Sequence, residues 1–231
     1  MHYINYKFIF NEIDCKDFRI ELDDTNMQRS TASPEPEADW IKLEFNQCHH
    51  CPLDSRNELF CPVAANLAPL IKLCDNTSSY ERLDIEVETT ERTYLVNNTT
   101  AQRAFSSLMG LVIATSSCPH TTFFRPMARH HLPLASDEET LYRAVSSYLL
   151  LQYFKRKYGK SADYDLHGLD EIYKNMQIIN TTMATRLREA SNNDAAVNAI
   201  VLLDMFAKAI PYSIDEALDE LHYLYCEIDE Q

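Results

Sequence analysis

Glycine is almost absent from this chain of 231 residues, occurring only at positions 110, 159 and 168. A Walker-type phosphate loop and a dinucleotide fingerprint each need several glycines close together. Neither motif can be built here, so no nucleotide cofactor is expected. The G-x-S-x-G elbow of hydrolases and the H-E-x-x-H metal motif are also missing from the sequence.

Basic residues are scarce as well. The chain has 21 Lys and Arg against 35 Asp and Glu, which gives a formal net charge of −14. Nucleic acids and anionic membranes both require a basic footprint on the protein that binds them. We therefore expect neither as a partner. A protein partner remains open, and the oligomeric state is not readable from the sequence.

Long apolar runs are missing too. No segment approaches the roughly 18 apolar residues that a membrane span requires, and the first residues do not resemble a secretory signal. The seven cysteines are an odd number, which argues against a disulfide scaffold. We expect a cytoplasmic protein with reduced thiols.

The first part of the chain alternates apolar with polar residues, which is typical of strands. Strands are predicted at 6–10, 18–22, 40–45, 83–88 and 93–96. Because the connections are mostly short, the sheet should be mostly antiparallel. A helix is predicted over 62–74, with Pro62 in the favoured first position and Pro69 as an internal penalty.

The second part is typical of helices. Capping boxes at Thr99–Gln102, Ser136–Glu139 and Ser213–Glu216 predict three helix starts. Helices are predicted over 99–115, 136–158 and 166–190, from Asn193 or Asp194 to before Pro211, and from 213 onward.

The order of strands followed by helices predicts an α+β fold, with an N-terminal mostly antiparallel sheet and a C-terminal helical bundle region. The strand-rich region with its cysteine loop should span 1–98. The helical region should span 99–231 and pack as one unit with the first.

Three cysteine-proline pairs carry the clearest chemistry: Cys51-Pro52, Cys61-Pro62 and Cys118-Pro119. Cys48 adds a C-x-x-C spacing, which suits two ligands of one metal. Cys48, Cys51, Cys61 and Cys118 together make a four-sulfur set suited to zinc or to an iron–sulfur cluster. His130 is the histidine assigned to this set, and the other nearby histidines that could substitute are His49, His50, His120 and His131.

Two alternatives to a metal site stay open. A cysteine before a helix-starting proline has its thiol pKa lowered by the helix dipole, which would suit a thiol-based redox enzyme or sensor using Cys118 or Cys51. Free cysteine is also among the residues most often simply buried. The leading hypothesis is a zinc-binding interaction or regulatory protein, and whether the chain is an enzyme is left undecided.

A second patch, residues 125–133, gathers two arginines and two histidines in this acidic chain. It would suit an anion site, or a histidine acting as metal ligand or proton carrier. The favoured interpretation is an ordered interdomain connection whose arginines pair with local acids such as Asp137, Glu138 and Glu139.

Four segments taken together resemble an uncharacterised bacterial protein family of similar length. They are W-I-K-L-E-F-N-Q-C-H-H-C-P-L at 40–53, C-P-V-A at 61–64, S-S-C-P-H at 116–120 and the segment beginning R-P-M-A-R-H-H-L-P at 125–143. The resemblance implies a bacterial cytosolic setting. It groups the Cys-Pro segments and the P-M-A-R-x-H-L-P segment in one site, but implies no activity, catalytic residue or cofactor.

Overall fold

The computed structural model has an N-terminal four-stranded antiparallel sheet followed mainly by helices, which confirms the α+β fold. It describes residues 2–29, 38–190, 194–212, 218–219 and 221–225. The strands are β1 (His2–Ile9), β2 (Cys15–Leu22), β3 (Arg82–Thr89) and β4 (Thr93–Thr100), in the spatial order β2-β1-β3-β4.

Alternation along β1 builds the inner face of the sheet. Ile4, Tyr6 and Phe8 are fully buried, while the residues between them are partly exposed. On β2, Phe18 and Ile20 face the same core, and Ile20 pairs directly with Ile4. Both predicted hairpins are confirmed, because each alternating pattern has one apolar face to bury.

Six helices are described, together with three short 3₁₀ helices. The helices are α1 (Pro62–Leu73), α2 (Ala101–Ala114), α3 (Arg125–Arg129), α4 (Asp137–Lys157), α5 (His167–Ala190) and α6 (Asp194–Tyr212). The 3₁₀ helices are Asp39–Ile41, Pro119–Phe124 and His222–Leu224. The capping box that starts α4 is confirmed, since Ser136 and Glu139 each donate a backbone N–H to the other's side chain, at 2.7 and 3.1 Å.

The strand predicted at 40–45 is wrong. This segment forms the 3₁₀ helix Asp39–Ile41 followed by turns, with a single bridge between Lys42 and Phe60. Its carbonyl groups do not join the sheet because several of them accept hydrogen bonds from a distant arginine, Arg186.

Two helix boundaries also differ from the prediction. Thr99 belongs to strand β4, and the N-cap of α2 is Thr100, which makes no side-chain capping hydrogen bond. The predicted Thr99–Gln102 capping box therefore does not form. Helix α6 continues through Pro211 to Tyr212. A proline this close to a helix end removes a hydrogen bond only from the last turn. The cap at Asn193 and the capping box at 213–216 lie outside the described residues.

One connected core joins the sheet to the helices. Its buried side chains come from β1, β2 and β3 and from every helix from α1 to α6. Helix α2 lies on the inner face of the sheet, where the rings of Phe8 and Phe105 are 4.8 Å apart. Among the described residues, no helix has both the length and the apolar character needed to cross a bilayer.

Candidate functional site

The four cysteines of the predicted set line one small pocket. Cys48, Cys51, Cys61 and Cys118 surround a space of about 20 Å³, although Cys118 comes from a distant part of the chain. The loop before α1 contributes the first two, Cys61 precedes α1, and Cys118 precedes the 3₁₀ helix Pro119–Phe124. We refer to this space as the cysteine pocket.

Local backbone geometry explains why the thiols converge. The N–H of Cys51 donates to the carbonyl of Cys48 at 2.9 Å, so a tight turn joins the C-x-x-C pair. Cys61 and Cys118 have the same extended N-cap conformation, with φ of −69° and −65°, and each is followed by proline at the first helical position. Cys51-Pro52 starts no helix.

Burial raises the pKa of two of these thiols, Cys118 and Cys48. Cys61 is 8% and Cys118 7% exposed. Burial raises the pKa of Cys118 to about 12, although the backbone N–H of His120 donates to its sulfur. Burial also raises the pKa of Cys48, against an opposing hydrogen bond from Thr182. Thiols in this state stay protonated near neutral pH and are poor nucleophiles.

Arg186 of α5 lies on the wall of the cysteine pocket and is only 1% exposed. Its guanidinium donates to the backbone carbonyls of Trp40, Lys42, Leu43 and Asn46, at 2.7 to 3.3 Å. It forms no salt bridge with any described acid. Burial lowers its pKa, and the nearby cysteines oppose that shift. The pocket therefore has a buried cation whose only described hydrogen-bond partners are neutral.

The histidines divide between two places. His120 lines the cysteine pocket, stacks on His50 with ring centroids 4.1 Å apart, and donates from Nε2 to the carbonyl of His50 at 3.1 Å. His130 lies elsewhere, exposed at the end of α3. The pKa of His2 is lowered mainly by burial, and His130 is close enough to lower it slightly further. His120, not His130, is the histidine beside the four thiols.

The thiols surround the pocket without reaching ligand spacing. Within the described ranges, no three of these cysteines and histidines have ligand atoms all within 4.8 Å of one another. Of the residues that the structure describes, only Asp163, Asp165 and His167 meet that criterion. The Asp163 carboxylate already accepts hydrogen bonds from the hydroxyl of Tyr148 and the N–H of Gly168. It therefore serves to organise the start of α5.

The second patch does not make the ion pairs expected of it. Arg125 donates to the carbonyl of Ser116 at 3.4 Å, and Arg129 lies 3.6 Å from Glu91. In the part of the chain that is described, neither pairs with the acids at 137–139, so the favoured interpretation of this segment is wrong on that point.

Arg186 is the residue that sequence reasoning missed at this site. It lies 125 positions after Cys61, within an ordinary amphipathic pattern. An arginine on the apolar face of a long helix is the one feature that could have marked it, because an unpaired charge is rarely buried there.

Fold and site together define an α+β protein in which four cysteines, two buried and two partly buried, line one pocket beside a buried arginine. A family model described as "Domain of unknown function (DUF6901)" matches residues 4–226, so the chain belongs to that family. This match confirms the resemblance to an uncharacterised family. No curated protein and no solved structure shows significant similarity to the chain.

Proposed function

We propose that the cysteine pocket holds a single zinc ion, and that the protein is a zinc-stabilised interaction or regulatory protein with no catalytic role for the metal. Cys48, Cys51, Cys61 and Cys118 would be the ligands, and His120 would support Cys118 from beside it. Zinc would then tie the loop before α1 to the segment before Pro119.

Arg186 carries this proposal. A buried cation is costly unless charge nearby compensates it, and no described acid pairs with Arg186. A zinc ion held by four thiolates has a net negative charge, so it would supply the missing counter-charge. The N–H of His120 and the hydroxyl of Thr182 supply the sulfur hydrogen bonds that commonly orient metal ligands.

Pocket size favours one ion over a cluster. A space of about 20 Å³ is close to that of a single water-sized sphere. An iron–sulfur cluster contains several iron and sulfide atoms and would need a much larger space. Four thiolates in a tetrahedral arrangement are the usual ligands of structural zinc.

Thiol acidity disfavours the redox alternative at Cys118. A catalytic cysteine needs a lowered pKa and access to solvent, whereas Cys118 is buried with a raised pKa. Zinc binding does not need an acidic thiol, because the metal itself displaces the proton. We also propose a cytoplasmic setting, since all six described cysteines are free thiols.

Zinc binding requires the pocket to contract. Two sulfurs on one zinc lie at most about 4.6 Å apart, given bonds of about 2.3 Å. Among the described residues, no three of these thiols lie within 4.8 Å of one another. The movement falls to Cys48 and Cys51, since residues 42–60 contain no helix or strand. Zinc should therefore slow amide exchange in this loop more than elsewhere.

Thermal unfolding of metal-stripped, reduced protein tests the proposal. Adding zinc at about 1,000 times its dissociation constant should stabilise the protein by about 4 kcal/mol. For a chain of this size, that corresponds to a rise in Tm of about 8–16 °C. Cys51→Ser and Cys118→Ser should abolish most of the rise, whatever their own Tm.

Cys15→Ser is the matched control, because Cys15 is exposed and far from the cysteine pocket in the sheet. It should respond to zinc like the unaltered protein. An equal zinc response in all variants, or none in any of them, would refute the zinc site. A visible iron–sulfur absorption after anaerobic purification would instead support a cluster, and rapid thiol labelling at Cys118 would support redox chemistry.

A further inference from the structure

A second, much larger cavity of about 610 Å³ lies among the helices and is independent of the cysteine pocket. Its lining residues come from α2, α3, α4, α5, α6 and the segment between α3 and α4. Most are apolar, including Leu111, Met176 and Leu203. Cavities that bind small molecules usually measure about 300–1,000 Å³ and combine an apolar lining with a few polar groups.

Arg143 of α4 supplies positive charge on the cavity wall. Its Nη2 donates to the carbonyls of Met127 and His130 at 2.8 and 2.9 Å, which holds the guanidinium in place. Its Nε and Nη1 donate to no described protein atom. Glu139, one turn earlier, instead accepts the N–H of Ser136. Arg143 is thus a positioned cation whose Nε and Nη1 hydrogens remain available to a ligand.

Neutral polar groups also line this cavity. His131 lines the cavity and hydrogen-bonds through Nε2 to the hydroxyl of Tyr6, which also contacts Ser107 at 2.9 Å. Burial, reinforced by Arg143, lowers the pKa of His131 to about 3, so the ring stays neutral. Arg103, at the exposed edge of the cavity, adds positive charge, and Asp137 is the only acid among the described lining residues.

Asn180 adds an unpaired hydrogen-bond acceptor to the cavity wall. It lines the cavity from α5 and is only 2% exposed. Its Oδ1 is buried without any hydrogen-bond donor among the described residues. A buried acceptor of this kind is costly to leave unpaired. A carboxylate cannot pair with it because both groups only accept hydrogen bonds, so its donor would be a water molecule or a hydroxyl on the body of the ligand.

We propose that this cavity binds a small amphiphilic monocarboxylate, with its apolar body among the helices and its carboxylate against Arg143. Guanidinium binds carboxylate through paired, charge-assisted hydrogen bonds, which are stronger than neutral ones. The positive wall within a chain of net charge −14 favours an anion over a cation at this position. The inference does not depend on zinc binding.

Isothermal titration calorimetry with matched head groups tests the proposal on the full chain. Decanoate, decanol and decylamine share one apolar tail, and 2-naphthoate keeps the carboxylate while changing the tail to an aromatic body. Decanoate should bind one per chain, at least about 10-fold more tightly than decanol. Decylamine should bind more weakly than either. Comparison of decanoate with 2-naphthoate decides between an aliphatic and an aromatic acid.

Two variants locate the binding to this cavity. Arg143→Gln should weaken decanoate about 10-fold or more while leaving decanol unchanged, because only the charged contact is lost. Ala207→Phe, on the α6 wall, should fill the cavity and weaken both ligands. Arg82→Gln, at an exposed position at the start of β3, is the control and should change nothing.

The proposal is overturned if decanol or decylamine matches decanoate, if no probe binds at millimolar concentration, or if decanoate binding survives Ala207→Phe unchanged. Should Arg143→Gln fail to fold, the head-group series and Ala207→Phe still decide the question.

Discussion

The guanidinium of Arg186 donates a 2.7 Å hydrogen bond to the backbone carbonyl of Trp40, 146 positions earlier in the chain. The same side chain also binds the carbonyls of Lys42, Leu43 and Asn46. It thereby holds the loop that leads into Cys48 while facing the cysteine pocket. One residue therefore links the position of the first thiols to the electrostatics of the site.

Replacing Arg186 by methionine should lower the free energy of unfolding by about 2–4 kcal/mol, because buried carbonyls lose their donors. The variant should also bind zinc more weakly, since the compensating positive charge is gone. Urea unfolding with and without zinc measures both effects. Arg188→Met, an exposed position on the same helix, should change stability by less than about 0.5 kcal/mol. Unchanged zinc affinity in Arg186→Met would contradict the assigned role.

Arg186 also shows where sequence-based prediction of this fold reached its limit. The hairpins, the capping box at Ser136 and the Cys61-Pro62 helix start were predictable because each depends on residues only a few positions apart. The segment 40–45 alternates like a strand, but its carbonyls are bound by a side chain from α5. The sequence around residues 40–45 contains no sign of that distant arginine, so the pattern predicted a strand that does not form.

His131 should make the protein sensitive to mild acid. Its pKa is lowered from 6.5 to about 3 in the folded state, first by burial and then by Arg143. Above pH 6.5 the ring is neutral in both states. As pH falls below 6.5, the unfolded chain takes up a proton that the folded state refuses, so stability is lost. Between pH 7 and pH 5, this proton uptake should lower the free energy of unfolding by about 2 kcal/mol. Urea unfolding at the two pH values should show that loss in the unaltered protein and a loss smaller by about 2 kcal/mol in His131→Gln.

His130→Gln is the control for this experiment, since His130 is the exposed neighbour of His131. It should change the difference between pH 7 and pH 5 far less than His131→Gln does. Burial also lowers the pKa of His2 and His50, so His131→Gln should keep some acid sensitivity. Equal pH dependence in the two variants would show that His131 is not protected from protonation in the fold.

The same substitution should have opposite effects at two glycines. A Cβ added at Gly168 would lie 2.2 Å from the Tyr148 hydroxyl, which donates to Asp163. Gly168→Ala should therefore lower the free energy of unfolding by about 1–3 kcal/mol.

At Gly110, inside α2, the nearest atom to an added Cβ is a flexible Leu203 methyl at 3.4 Å. Gly110→Ala should stabilise by up to about 1 kcal/mol through helix propensity. Thermal unfolding, with about 2–4 °C per kcal/mol, separates the two signs. A destabilised Gly110→Ala would show that this contact is too tight.

The candidate site was predictable in part. Shared Cys-Pro chemistry was enough to group Cys118 with the N-terminal thiols, because a cysteine before a helix-starting proline has the same backbone geometry in each case. The predicted histidine, His130, does not line the cysteine pocket, whereas His120 does. His120 is two residues from Cys118, whereas His130 lies at the end of α3, outside the pocket. The large cavity had no sequence signature, since its wall is assembled from five helices.

Zinc content per chain tests the central claim most directly. The chain should be purified reduced and without chelators, incubated with excess zinc, desalted and measured by elemental analysis beside Cys15→Ser and Cys118→Ser. We predict about one zinc per chain in the unaltered protein and in Cys15→Ser, and a clear loss in Cys118→Ser. No retained zinc in the unaltered protein, or equal zinc in all three, would contradict a metal site formed by these cysteines.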